Sequence, residues 1–177
     1  MANRPIVIVG FMASGKSAVA RELARLAERE AVDLDQMIKL QTDLTPRHII
    51  EHKGEEIFRE VEKAVLKQVL DKRGDAVIAL GGGAFSIEQN RKLITQHNGI
   101  TVWLDATFEI CWQRILAAGT ERPLARNEQQ ARLLYDKRRK DYARAQLHIN
   151  VQNEKSAAET AAEILPQLQP HLSGKAN

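Results

Sequence analysis

The chain has 177 residues, enough for one compact domain with a real core and too few for two ordinary ones. Its 26 Lys and Arg against 23 Asp and Glu leave a net charge of +3, spread along the sequence, so no nucleic-acid partner is demanded although an anionic ligand suits it. The single cysteine, Cys111, excludes an internal disulfide and a cysteine-based zinc site. No charged-then-apolar leader pattern and no apolar run approaching ~20 residues appears, so the expectation is a cytoplasmic protein with no membrane span.

In chain order, short β-branched runs alternate with amphipathic stretches. Strands are expected at Ile6–Val9, Ala31–Leu34, Ala76–Leu80, Ile100–Leu104 and Leu147–Val151, each short and apolar as in a buried parallel sheet. Between the first two, "AVARELARLAERE" is rich in strong helix formers. In "EEIFREVEKAVLKQVL", Phe58, Val61, Val65 and Val69 recur at helical steps and predict one buried stripe. This alternation gives an α/β fold: a three-layer α/β/α arrangement around a five-stranded parallel sheet with right-handed crossovers. The pattern fades after Pro166, and the residues from about 171 to 177 read as a frayed tail.

The first strand runs into "GFMASGKS", which meets the pattern G-x-x-x-x-G-K-[ST] at Gly10, Gly15, Lys16 and Ser17. A chance match in a chain of this size arises roughly 1% of the time, and the position between strand and helix is the confirming context. Glycines let successive backbone N–H groups turn onto phosphates, and the helix N-terminus adds partial positive charge. Ala13, Ser14, Gly15 and Ala18 belong to this nucleotide cradle, Lys16 reaches the β- and γ-phosphates, and Ser17 is a Mg²⁺ ligand.

At the end of the second strand, "DLD" places Asp33 and Asp35 two apart, on one face if the segment is extended. One suits a Mg²⁺ site and the other an acceptor hydroxyl; an N-cap for "QMIKLQ" suits them equally, and spacing leaves both open. In "GEEIFREVE", Glu62 stands three residues after Arg59 and can steer its guanidinium toward a carboxylate, although such pairs also occur as plain surface bridges. The strand "VIAL" ends in Gly81, Gly82 and Gly83, which allow a ligand close to the backbone. "ERPLARN" carries Arg122 in a stretch of weak periodicity that suits a mobile flap, and "YDKRRKDYARA" offers Arg138 and Arg139 on a helix. "ITVWLD" imitates a metal-binding strand end, but Asp105 or Thr107 reads better as the cap of a helix starting near Phe108.

Together, "GFMASGKS", "DLD", "GEEIFREVE", "GGG" and "RPL" resemble the shikimate kinase family in order and approximate spacing, across most of the chain. The resemblance implies a P-loop NTPase fold of the nucleoside monophosphate kinase type, and transfer of the γ-phosphate of ATP to the 3-hydroxyl of shikimate in chorismate and aromatic amino acid biosynthesis. It implies Lys16, Asp35 and Arg122 as catalytic residues, with Asp35 as base and shikimate ligand. Arg59 and Arg138 would clamp the carboxylate, Arg138 rather than Arg139 because it stands four residues before Tyr142, and Gly81 to Gly83 would line the ring. Ser17 and Asp33 would hold Mg²⁺, Arg114 would flank adenine, and Asn153 would lie near the nucleotide. As a domain plan it implies one kinase domain acting as a monomer on ATP and shikimate. Its core would be about 1–32, 62–111 and 143–170, its acceptor subdomain about 33–61 and its lid about 112–126.

Three letters depart from the family pattern. Ala13, Ala20 and Asp43 stand where glycine is common, and a Cβ at a position that needs φ > 0 costs about 1 kcal/mol or more. The lid between Arg122 and Arg138 is a few residues short. Rival readings are a gluconate kinase, a nucleoside monophosphate kinase and a silent nucleotide-binding module; retention of Lys16, Asp35, Arg59 and Arg122 together argues against the last.

Overall fold

Strand β1 (Ile6–Val9) is 0–1% exposed along its whole length, so it must be covered on both faces. The computed structural model describes residues 4–119, 127–153 and 155–172, and there β1 is the central strand of a five-stranded, all-parallel sheet. Its order is β2-β3-β1-β4-β5, with β2 at Ala31–Asp33, β3 at Val77–Ala79, β4 at Ile100–Ala106 and β5 at Leu147–Val151. The expected strands are all present; β2 and β3 are shorter than expected and β4 is longer. Register is parallel throughout, with Ile6 beside Val77 on one side and Ile100 on the other.

The connection from β1 to β2 runs opposite to those from β2 to β3, β3 to β4 and β4 to β5. With right-handed crossovers, helix α1 (Lys16–Leu26) therefore lies on one face, where it packs against α8 (Ala157–Leu172). The helices α4 (Glu55–Lys72), α5 (Glu88–Gln96), α6 (Phe108–Ala118) and α7 (Glu128–Tyr142) take the other. Two short helices, α2 (Leu34–Thr42) and α3 (Pro46–Lys53), stand between β2 and α4. The reversal of direction at β1 opens a crevice at its carboxyl end, where the phosphate-loop motif lies.

The helices differ in how they start, and α4 and α5, like α1, begin without a side-chain cap. α2, α3, α6 and α7 begin on the side-chain caps Asp33, Thr45, Thr107 and Asn127. α1 begins on Gly15 at φ 99° with no side-chain cap, which leaves its first N–H groups for a ligand. Gly10, at φ 146°, cannot be replaced: a Cβ there would stand 2.8 Å from the Leu104 carbonyl oxygen.

Two expectations are corrected. The buried face of α4 is broader than the stripe expected from Phe58, Val61, Val65 and Val69. Val61 is only half-buried, while Leu66, Leu70 and the carboxylate Glu62 lie inside, because α4 is covered from several sides, by α2, α3 and α5. Helix α8 does not fade at Pro166; it continues through Pro166 and Pro170 to Leu172. An internal proline costs about 3 kcal/mol, and here burial of Ile164 and Leu168, both 0% exposed, offsets it. Arg4 donates to the carbonyl of His171 at the end of that helix, 2.5 Å away. Residues 173–177 lie outside the described residues.

Two of the three unusual letters fall on left-handed backbone: Ala13 at φ 61° and Asp43 at φ 57°. Ala20 instead is a buried helical residue in α1. Asp tolerates the left-handed region and here ends α2; Ala does not, and its Cβ costs ~1–2 kcal/mol. Glycine recovers that strain less ~0.4–1 kcal/mol of chain entropy. Ala13→Gly is therefore expected to raise the melting temperature by about 2 °C, and Asp43→Gly by less, in a calorimetric scan. An unchanged or lower value for Ala13→Gly would show that the loop is not strained there.

Candidate active site

The phosphate loop folds back on itself before α1. Ser14 N–H donates to the Phe11 carbonyl at 3.2 Å, and the Lys16 ammonium donates to the same oxygen at 2.7 Å. Lys16 is buried, and desolvation lowers its pKa to about 8 against the opposing pull of Asp35. The lysine thus waits beside a carbonyl, short of a full counter-charge. The Ser14 hydroxyl is buried with no hydrogen-bond partner among the described residues.

A cavity of about 550 Å³ lies over this loop and the first turn of α1. Ala13, Ser14, Gly15, Lys16, Ser17 and Ala18 line it, as the sequence suggests for a nucleotide. Arg114 on α6 closes one side and donates to the Ala13 carbonyl at 3.3 Å. Val151, Lys155 and Thr160 form another wall, which sequence reading missed because nothing in β5 or α8 carries a motif. Asn153 stands exposed in the turn between Val151 and Lys155 and is not part of the cavity wall.

Asp33 and Asp35 do not share an extended face. The strand ends at Asp33, which caps α2 by accepting from Gln36 N–H at 3.2 Å, so Asp35 sits in the first turn of that helix. The cap leaves its second oxygen available, and this accepts from the Ser17 hydroxyl at 2.5 Å. A hydroxyl and a carboxylate oxygen at the mouth of a phosphate loop are the hard donors that Mg²⁺ takes alongside substrate phosphates and water. These two residues fit the ion. Among the described residues no cluster of three or more acidic, His or Cys side chains offers a different metal site.

Asp35 turns instead toward the triple glycine. A Cβ at Gly81 would meet Asp35 Oδ1 at 2.9 Å and Glu62 Oε1 at 3.0 Å. A Cβ at Gly83 would meet Arg59 Nη2 at 2.5 Å and Arg138 Nη2 at 2.8 Å. At Gly82 the nearest atom would be Met12 N of the phosphate loop, at 3.3 Å. Side chains at Gly81 and Gly83 would displace two carboxylates and two guanidiniums from this backbone, and one at Gly82 would press on the phosphate loop. The Tyr142 hydroxyl donates to the Gly82 carbonyl and fastens α7 to this turn.

Arg59 Nη1 donates to Glu62 Oε2 at 2.8 Å and Nη2 to Glu55 Oε1 at 2.9 Å. Burial raises the Glu62 pKa, and the Arg59 charge opposes that rise. Burial likewise works against the Arg59 cation, but Glu62 and Glu55 outweigh it and hold its pKa up. The other Glu62 oxygen, Oε1, has no hydrogen-bond partner among the described residues and faces Asp35 and Gly81. Arg138 is 6% exposed, and burial lowers its pKa. Its neighbour Arg139 is spent elsewhere: it grips Asp105 through both nitrogens, at 2.5 and 2.8 Å, and lies over the Trp103 ring. Asp105 is therefore a structural partner of α7, and Thr107 caps α6 by accepting from Ile110 N–H at 3.4 Å.

Of the proposed site, Lys16, Ser17, Asp33, Asp35, Arg59, Gly81, Gly82, Gly83, Arg114 and Arg138 gather at the carboxyl end of the sheet. Arg122 lies outside the described residues. Residues 112–118 of the expected lid belong to α6.

Comparison with known proteins bears on the same residues. The family model described as shikimate kinase matches residues 12–169. A shikimate kinase from Lactococcus lactis is 37% identical over 161 residues, covering 90% of this chain and 94% of that protein. A shikimate kinase from Acinetobacter baumannii, solved in complex with shikimate, superposes with a TM-score of 0.86 at 35% identity, over 98% of this chain and 96% of its own. A gluconokinase from Sinorhizobium meliloti superposes at a TM-score of 0.62 with 15% identity, which is likeness of fold alone. With a cation pair behind a triple glycine, a carboxylate whose charge acts on a phosphate-loop lysine, a family model matched over residues 12–169 and a relative matched over 90% of this chain, the chain belongs to the shikimate kinase family.

Proposed function

We infer that this chain transfers the γ-phosphate of ATP to the 3-hydroxyl of shikimate, releasing ADP and shikimate 3-phosphate. The observation that carries this reading is the convergence of Arg59 and Arg138 on Gly83, with Asp35 at the neighbouring Gly81 and its charge acting on Lys16. Two guanidiniums behind bare backbone are a fork for one carboxylate. A carboxylate-bearing polyol held there places a hydroxyl near Asp35, at the border between the acceptor pocket and the nucleotide cradle.

Phosphoryl transfer asks the protein for alignment and neutralised charge more than for covalent chemistry. Arg59 and Arg138 fix the acceptor by its carboxylate, and Asp35 orients the hydroxyl and takes its proton. Lys16 leaves the Phe11 carbonyl for the β- and γ-phosphates, while the uncapped N–H groups of α1 receive the phosphate oxygens. When bound through Ser17 and Asp33, Mg²⁺ would offset the charge of the phosphate tail. Arg122 is proposed as the lid cation that joins the transferring group. Arg114 is proposed to flank the base, with Asn153 beside it. Among the described residues no helix is long and apolar enough to cross a membrane, and we propose a monomer working in the cytoplasm.

A coupled ADP-release assay with shikimate, gluconate and AMP as acceptors is expected to show turnover with shikimate alone; turnover with gluconate in its place would overturn the reading. In the same assay Asp35→Asn should cost ~10²–10⁴-fold in kcat and Lys16→Ala ~10²-fold or more. Arg59→Ala should raise the shikimate KM by ~30-fold or more while ADP binding stays within about twofold. Equal loss of both would mark Arg59 as structural. The lowered Lys16 pKa gives a further sign: the nucleotide binds the protonated lysine, and the free site loses that proton above pH 8. Affinity for Mg-ADP by calorimetry should therefore fall about tenfold between pH 7 and pH 9 and stay flat over that range in Lys16→Met. A flat wild-type profile would show that the lysine keeps its proton in the free protein.

A further inference from the structure

At the opposite end of the sheet a second cavity, of about 400 Å³, opens beside Gly99, Thr101 and Gln146, where β4 and β5 begin. Arg4, Arg91 and Arg144 stand in its wall. The seven-residue strand β4 runs from it toward the phosphate-loop end, while Phe85 in its wall belongs to the turn that follows Gly83.

The donors of these arginines are largely unspent. Hydrogen bonds recorded among the described residues run from Arg4 to the Asn98 and His171 carbonyls and from Arg91 to the Phe85 carbonyl. Asp141 forms loose ion pairs with both Arg91 and Arg144, at 3.8 and 3.9 Å, outside hydrogen-bond range. Glu88 also feels both cations, yet its carboxylate closes on Lys92 at 2.7 Å. Three arginines line one cavity, and the one carboxylate paired with two of them makes a hydrogen bond to neither, so together they can form an oxyanion fork. The volume exceeds that of a free phosphate ion, which leaves room for an organic portion against Thr95 and Gln146.

We propose that this cavity is a second anion site, which takes phosphate or the phosphate head of a small organic molecule. The site is tied to the acceptor pocket through two short segments. Arg91 holds the carbonyl of Phe85, in the turn that directly follows the triple glycine. Asp141 adjoins Tyr142, whose hydroxyl holds the Gly82 carbonyl. An anion that draws Arg91 and Arg144 off Asp141 therefore acts on both segments behind the acceptor. This coupling, unlike the binding itself, rests on the function inferred above.

The test is calorimetric titration of inorganic phosphate, and separately of glycerol 3-phosphate, into protein saturated with Mg-ADP so that the phosphate loop is filled. Saturable millimolar binding of either probe is expected, weakened about tenfold in Arg144→Gln. Arg144 is 66% exposed, so this variant should keep its melting temperature. Tighter binding of glycerol 3-phosphate would identify an organic phosphate, and equal binding would identify free phosphate; both support the site. No saturable binding, or equal affinity in the wild type and Arg144→Gln, would overturn it. In the kinase assay at saturating ATP, the bound probe should shift the shikimate KM at least about twofold in the wild type and not in Arg144→Gln. An unchanged KM with binding intact would overturn the coupling and leave the site standing.

Discussion

Three cations held away from water at one end of a parallel sheet set the terms for the rest of this structure. Lys16, Arg59 and Arg138 are all largely buried, and burial works against the charge of each. Each is stabilised differently. Lys16 leans on a backbone carbonyl, Arg59 on Glu62 and Glu55, and Arg138 sits against bare glycine backbone beside Tyr142. Lys16 and Arg138, whose pKa values burial lowers, are the two that ligand anions would compensate. The arrangement becomes favourable when a phosphate chain and a carboxylate arrive, since both bring the missing anions into a low-dielectric site.

The Arg59–Glu62 pair shows why burial of ions here serves orientation more than stability. A buried pair roughly recovers its desolvation cost and contributes little to folding. It does fix a guanidinium in one direction, because Glu62 on the inner face of α4 cannot follow solvent and its partner cannot leave it. The free oxygen of Glu62 then faces the acceptor pocket, beside Asp35 and Gly81. The triple glycine completes the device by removing every side chain that would stand between the two arginines and a ligand.

Much of the fold was legible along the chain. The inner strands β1, β3 and β4 are short apolar runs buried on both faces, so their pattern depends on local composition, while the edge strands β2 and β5 are only partly buried. The phosphate loop was equally plain, because its glycines, lysine and serine act through backbone geometry within eight consecutive residues. Harder to read were features set by packing. The burial of Glu62, the persistence of α8 through Pro166 and Pro170, and the role of Lys155 and Thr160 as a cavity wall all depend on distant elements. For "DLD", spacing left metal ligand and helix cap as alternatives; in the structure Asp33 caps α2 with one oxygen and accepts from the Ser17 hydroxyl with the other, which leaves it placed for the proposed metal role.

The amino-acid sequence by itself determined the chemical inventory: one phosphate cradle, one candidate base, arginines for a carboxylate, and glycines where a backbone must stay bare. Tertiary structure decided which of several arginines are used. Arg138 and Arg139 are adjacent and chemically identical, yet the helical turn aims one at Gly83 and the other at Asp105. It also decided that Ala13 takes a left-handed conformation, since the loop must return the Phe11 carbonyl to Ser14 and Lys16 whatever side chain occupies that position. The physical reason is common to both. Residue type sets which interactions are available, and only the packed backbone sets the directions in which they are made.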